Sequence, residues 1–240
     1  MTVAPADQAL YQIVSAAAPQ SIDDVLETMQ SIDQLLPGTD GLKWFNWLYM
    51  TVTQTVDQEP PGTWQDPTWL TRLDVVFAGL YFQAIAGFLS DSPSTPSSWD
   101  ALMEARYRTG VDRIQFALAG MNAHINHDLA LALLDTDAQL NLVPGLNSPE
   151  HADYETVNGL LKALMPSTLQ VLATGVLGQL AEDTGKIGRI LAFWDIVQAR
   201  DLAWDFADHL RGMSGVPRQV ALDSQDEITG ALGRAILAIG

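Results

Sequence analysis

The segment Gly120-Met121-Asn122-Ala123-His124-Ile125-Asn126-His127-Asp128-Leu129 sets two asparagines, two histidines and an aspartate into an apolar run. At helical spacing Leu118, Met121, Ile125, Leu129 and Ala132 form one stripe, while Phe116, Leu131 and Leu134 fall on the other side. A helix that is apolar on several faces is central and buried, so its polar residues need partners or a cavity. Asn122 and Asn126 share one flank of the stripe, and His124 and Asp128 share the other. A carboxylate one turn from an imidazole holds it in one tautomer and raises its basicity, which suits a general base. The same spacing suits two metal ligands, or a buried hydrogen-bond network that ties helices together. His127 falls off both flanks and reads as a surface or loop-contacting histidine.

Other segments offer groups for the same site. Asp74, Phe77, Ala78, Tyr81, Ile85 and Phe88 share a helix face, so Asp74 is a carboxylate on an aromatic stripe. Buried without a partner its pKa would rise; a partner such as Arg200 or an asparagine would keep it ionised. Arg200 and Trp204 stand at i, i+4, and Arg200 suits either a substrate carboxylate or a lock on Asp74 or Asp128. Trp204 reads as core. Tyr154 and Asn158, also at i, i+4, would point into the same cavity. Asp201-Leu202-Ala203-Trp204-Asp205 spaces two aspartates at i, i+4, a weak metal alternative. The assignment is His124, Asp128 and Asp74 as catalytic groups, with Asn122, Asn126, Tyr81, Tyr154, Asn158, Arg200 and Trp204 as substrate contacts, and with no metal and no cofactor.

The elements that must position these groups are helical throughout. A short helix over 6–18 is stopped by Pro19. Ser21 caps a helix to 36, Asp40 caps the Trp44, Trp47, Leu48, Thr51, Val52 segment, and Asp66-Pro67 opens a helix to 89. Helices follow over 98–108 and 111–134, with a loop over 135–148. Later ones run over 149–164, 166–180, 184–211 and 224–239, the last opened by a Ser224/Glu227 capping box. The expectation is an all-α protein: one globular bundle of about nine or ten helices around a buried central helix, with residues 1–20 as a loosely packed extension. Ser90–Ser97 reads as a surface loop inside this single domain.

Composition narrows the partners. Twelve Lys+Arg against 29 Asp+Glu give a formal charge of −17, yet only 17% of residues are charged and 48% are hydrophobic. Disorder needs low hydrophobicity as well, so it is disfavoured. Three lysines and nine scattered arginines make no phosphate-backbone footprint, and the acidity repels anionic membranes. There is no cysteine. The apolar stretches 75–89 and 169–180 read as too short or interrupted to span a bilayer, and no signal peptide is legible. A cytoplasmic protein is expected, with no nucleic-acid or membrane partner and with homodimerisation left open. Phosphate loop, His-Glu-x-x-His, nucleophile elbow and dinucleotide fingerprint are all missing.

The run GMNAHINHDLALAL, together with FNWLYMTVT, LDVVFAGLYFQA, DYETVN and ARDLAW, resembles the bacterial domain-of-unknown-function family 5995 over roughly residues 42–210. The resemblance implies signature positions at Asp74, Tyr81, Asn122, His124, Asn126, Asp128, Tyr154, Asn158, Arg200 and Trp204. A looser likeness is to zinc-dependent phospholipases, which also place His-x-x-x-Asp on a core helix but need several more histidines than His127, His151 and His209 supply. The expected function is an acid–base enzyme on a hydrophobic metabolite, of the cyclisation, isomerisation or elimination kind, in bacterial specialised metabolism. His124 would be acid/base, Asp128 its orienter, and Asn122 and Asn126 donors to a carbonyl or enolate. The alternatives are a non-catalytic hydrophobic-ligand binder and a metal-dependent hydrolase using His124 and Asp128.

Overall fold

Side-chain caps decide where the early helices begin. The computed structural model describes residues 5–173 and 195–239, and these contain helices and no strand. After α1 (Pro5–Ala16), Ser21 and Asp24 exchange bonds in a complete capping box that opens α2 (Ile22–Leu35). Asp40 accepts from the Leu42 N–H at the start of α3 (Gly41–Asp57). Asp66 accepts from the Trp69 N–H, with Pro67 as first residue, at the start of α4 (Pro67–Leu89). There follow α5 (Ser97–Ala105) and α6 (Arg113–Ala123), then a π-turn over His124–Asp128 that runs on into α7 (Leu129–Leu140). The described chain ends with α8 (Pro149–Ala173), α9 (Ile196–Arg211) and α10 (Gly215–Ala238).

The α6–π-turn–α7 rod is the buried centre, as its all-round apolar pattern requires. Ile114 to Ile125 are all buried, polar members included. Its first half packs against α3, α5 and α10, and its second half against α4 and α9. Two glycines let α3 and α6 come close. A Cβ on Gly41 would stand 2.4 Å from the Phe116 ring, and one on Gly120 would stand 2.4 Å from the Phe45 ring. Each helix therefore lends a flat aromatic to a bare backbone on the other. A buried ion pair closes the same end: Arg106 Nε donates to both Asp40 oxygens at 3.0 and 3.1 Å, and its Nη1 lies 3.2 Å from Asp7.

Several boundaries differ from expectation. The helix expected to stop at 134 runs to Leu140, where Asn141 ends it in the left-handed conformation, φ 54°. Asp137, read as part of a loop, accepts from Trp69 Nε1 and from Arg211 inside the bundle. The helices expected over 149–164 and 166–180 are one through Ala173. Pro166, which has no N–H to give, sits inside this helix, and the Ser167 and Thr168 hydroxyls beside it donate to the Leu164 carbonyl. Residues 174–194, within the expected 166–180 and 184–211 helices, lie outside the described residues; α9 begins at Ile196 with Asp195 as its cap. The Ser224/Glu227 box is not a helix start, because both residues sit exposed inside α10, which opens after Ser214.

Two further readings change. The first helix is packed rather than loose, with Leu10 and Val14 buried and Asp7 on Arg106. The 75–89 stretch belongs to the 23-residue α4, which is long and apolar enough by length and composition to cross a bilayer. Its side chains Trp69, Leu70, Leu73, Phe77, Tyr81 and Phe82 are buried in the bundle core.

Candidate active site: a histidine–aspartate cluster behind a polar cavity

The π-turn is where the sequence motif becomes geometry. The Leu129 N–H bonds the His124 carbonyl five residues back, a wide turn of a kind frequent at functional sites. It brings both imidazoles onto one carboxylate. Asp128 Oδ2 lies 3.1 Å from His124 Nδ1 and Oδ1 lies 2.7 Å from His127 Nδ1, while Trp99 Nε1 donates to Oδ2 at 3.0 Å. An acceptor-only carboxylate assigns the proton to Nδ1 of each ring. His127 is thus mostly buried, with 12% of its side chain exposed, and its Nε2 faces Asp226 at 3.7 Å. That corrects the surface reading: a regular 100° turn puts His127 off both flanks, and the π-turn does not.

Burial acts to raise the Asp128 pKa, but the bonds from His124 and His127 outweigh it and hold the carboxyl below its usual value. His124 is pushed down, because burial outweighs the help of Asp128. His127 is raised: burial opposes the charged form, and Asp128 and Asp226 overcome it. His124 is therefore a neutral imidazole whose Nε2 is buried without a partner. Its ring stacks on Phe77 at 3.5 Å and 6°, and Tyr49 stands 4.4 Å away.

In front of this aromatic wall lies a cavity of about 50 Å³, lined by Tyr49, Thr53, Asp74, Phe77, Leu129, Tyr154, Val157 and Arg200 among others. The Tyr49 hydroxyl, Thr53 Oγ1 and Asp74 Oδ2 on it are buried atoms without a hydrogen-bond partner. Burial, then the Asp57 charge, pushes Asp74 up to about 7. Burial, then the Asp74 charge, raises the Tyr49 phenol well above its usual value. Arg200 presents its face to Tyr154 at 4.2 Å and donates from Nε to Asn158 Oδ1. It locks neither Asp74 nor Asp128. Asn158 in turn donates to Asp201 at 3.0 Å.

Of the residues singled out from sequence, Asp74, Tyr154 and Arg200 line this cavity. His124 stands behind its Tyr49 and Phe77 wall, with Asp128 a layer deeper. Asn158 holds Arg200 from the side. The asparagine pair serves the packing: Asn126 Nδ2 donates to Asn122 Oδ1 at 2.9 Å, and Asn122 Nδ2 to the Thr229 carbonyl of α10 at 2.8 Å. The Tyr81 hydroxyl donates to Asn46, and Trp204 packs against Trp69, Tyr154 and His151. Among the described residues no three His, Asp or Glu side chains converge as metal ligands. Asp201, of the i, i+4 aspartate pair, instead takes the Asn158 bond.

Tyr49 and Thr53 are the cavity residues that the motif reading missed. The signal was present: Phe45, Tyr49, Thr53 and Val56 recur at i, i+4, i+8 and i+11 and are the buried face of α3. Trp44, Trp47, Thr51 and Val52, the larger stripe, are only partly buried.

These features define an all-helical bundle with a histidine–aspartate cluster behind a small mixed-polarity cavity. The chain belongs to the family of unknown function DUF5995, which matches residues 22–239. Neither the curated proteins nor the solved structures contain a match to it.

Proposed function

We propose that the protein is an acid–base enzyme for a small, largely hydrophobic metabolite, carrying out a proton transfer such as an isomerisation, elimination or cyclisation. The observation that carries this reading is the convergence of three unpartnered buried polar groups on one cavity, the Tyr49 hydroxyl, the Thr53 hydroxyl and the Asp74 Oδ2, with Arg200 on the same lining. Buried polar groups are otherwise satisfied, so a cluster of exceptions marks a place for a ligand. Asp74 is the acid/base, since a carboxyl titrating near 7 both gives and takes a proton at working pH. Tyr49 and Thr53 are the donors to a substrate oxygen on which charge develops. His124 is a positioning residue: held by Asp128, its ring packs against Tyr49 and Phe77.

Proton transfer at carbon leaves a general trace. Incubated in D2O with small carbonyl acids and ketones, the protein should place deuterium at the exchanging carbon, read by mass spectrometry. Asp74→Asn should slow this at least 100-fold, and Tyr49→Phe should slow it less. Exchange unchanged in Asp74→Asn would sink the assignment.

The non-catalytic binder remains the second reading, favoured by the position of the His124–Asp128 pair behind the cavity wall rather than on it. It expects bound ligand without exchange.

A further inference from the structure

Arg200 is the unexplained charge of this molecule. It is 6% exposed, with one face on Tyr154 and Nε on the neutral Asn158 amide. Among the described residues no carboxylate makes an ion pair with it; Asp201 acts on it as a nearby charge and takes the Asn158 amide as its hydrogen-bond partner. A guanidinium stays charged wherever it is placed, and buried charges are as a rule paired. Among the described residues the other buried arginine obeys the rule, with Arg106 on Asp40 and Asp7. Arg200 lines the cavity, so the missing anion has a place to sit.

We infer that the cavity binds a short-chain monocarboxylic acid, with its carboxylate on the Arg200 guanidinium and its hydrocarbon chain against the apolar walls. This rests on reading the cavity as the substrate site, and it names the substrate class. Charge and shape favour a carboxylate over phosphate. One planar cation and apolar walls of Val56, Leu73, Phe77, Leu129 and Val157 suit a weakly hydrated monoanion, and among the described residues no second cation lines the cavity to balance a dianion. Size sets the chain length. At roughly 10–15 Å³ per water-sized site, a cavity of about 50 Å³ holds only a few such sites, so a short chain fits and a long one does not.

Asp74 and Tyr49 line the same cavity as Arg200, and the Asp74 Oδ2 and the Tyr49 hydroxyl are buried there without a hydrogen-bond partner. A ligand anchored at Arg200 therefore shares the cavity with both groups.

The test is calorimetric or ligand-observed NMR titration of the full chain at pH 6 with butyrate, and with butyramide as its neutral isostere. Butyrate should bind at least tenfold more tightly than butyramide. Affinity along the series from acetate to octanoate should peak among the short acids and fall toward octanoate. Arg200→Gln should remove at least tenfold of the butyrate affinity and leave butyramide within twofold. Equal binding of the two probes, no binding of either, or butyrate affinity that survives Arg200→Gln would each overturn the inference. Arg200 packs on Tyr154; if its variant does not fold, the wild-type preference for butyrate over butyramide decides alone. Binding of butyrate without deuterium exchange on any acid would leave this inference standing and remove the enzymatic reading. Exchange on neutral ketones without butyrate binding would do the reverse.

Discussion

The two histidines that share Asp128 differ in what they can do. His124 sits in an aromatic cage where burial wins, and His127 faces Asp128 and Asp226 where charge wins. Histidine NMR should therefore show His127 titrating above the ordinary value of 6.5 and His124 below it; the opposite order would refute this account of the cluster. The linkage signs follow. His124, depressed, withdraws stability as pH falls below about 6.5, and His127, raised, withdraws it as pH rises through its folded value. Asp74 acts differently. It is neutral in both states below its ordinary 3.8, and between there and about 7 only the unfolded chain ionises. Stability then falls with rising pH by about 1.4 kcal/mol per unit and levels off above. Asp74→Asn, which cannot ionise, should melt higher than wild type at pH 8 and gain little at pH 4. A difference that does not change with pH would contradict an unpaired Asp74.

At the scale of elements, the α3–α6 crossing sets the distance between the cavity wall and the histidine cluster. Phe45 fills the space over Gly120 and also packs edge-on to Tyr81, Trp99 and His124. Gly120→Ala should cost about 1–3 kcal/mol by overpacking, and it should move the His124 resonances because Phe45 must shift. Gly159→Ala, on the exposed side of α8 with nothing within 4 Å of the new Cβ, is the control. It should be neutral or stabilising by up to about 1 kcal/mol. Denaturant melts of both variants check this, and equal effects would show that close approach is not what Gly120 provides. Caps made most helix starts legible, since Ser21, Asp40 and Asp66 are local signals. Helix ends were less so: Asn141 rather than a glycine ends α7 in the left-handed conformation, and Pro166 does not end α8.

For the whole molecule, the −17 charge is carried by a fold that keeps a few carboxylates inside for specific tasks. Asp40 holds Arg106, Asp153 caps the Gln65 and Asp66 N–H groups ahead of α4, and Asp226 caps Ser97 and Ser98 at the start of α5. The family match begins at residue 22, yet α1 completes the bundle against α4. Deleting residues 1–20 uncovers the sites of Leu10 and Val14 and takes Asp7 from Arg106. At about 1.5–3 kcal/mol per buried aliphatic side chain, the loss should be about 3–5 kcal/mol, a fall of roughly 10 °C in Tm. An unchanged melting curve would show that α1 contributes nothing to stability.

The sequence by itself determined the all-helical class, the buried central helix and the polar motif on it, because periodicity and caps are local and 3.6-residue spacing forces faces. It also identified Asp74 and Asp128 as carboxylates on apolar helix faces and Arg200 as a candidate carboxylate contact. Only the tertiary structure decided which of these share a cavity. The π-turn redirects His127, α10 takes up the Asn122 amide, and α3 contributes Tyr49 and Thr53 from a stripe with no chemical motif. Those outcomes depend on which helix faces which, and helices far apart in the chain meet through packing and close glycine contacts that no single segment encodes.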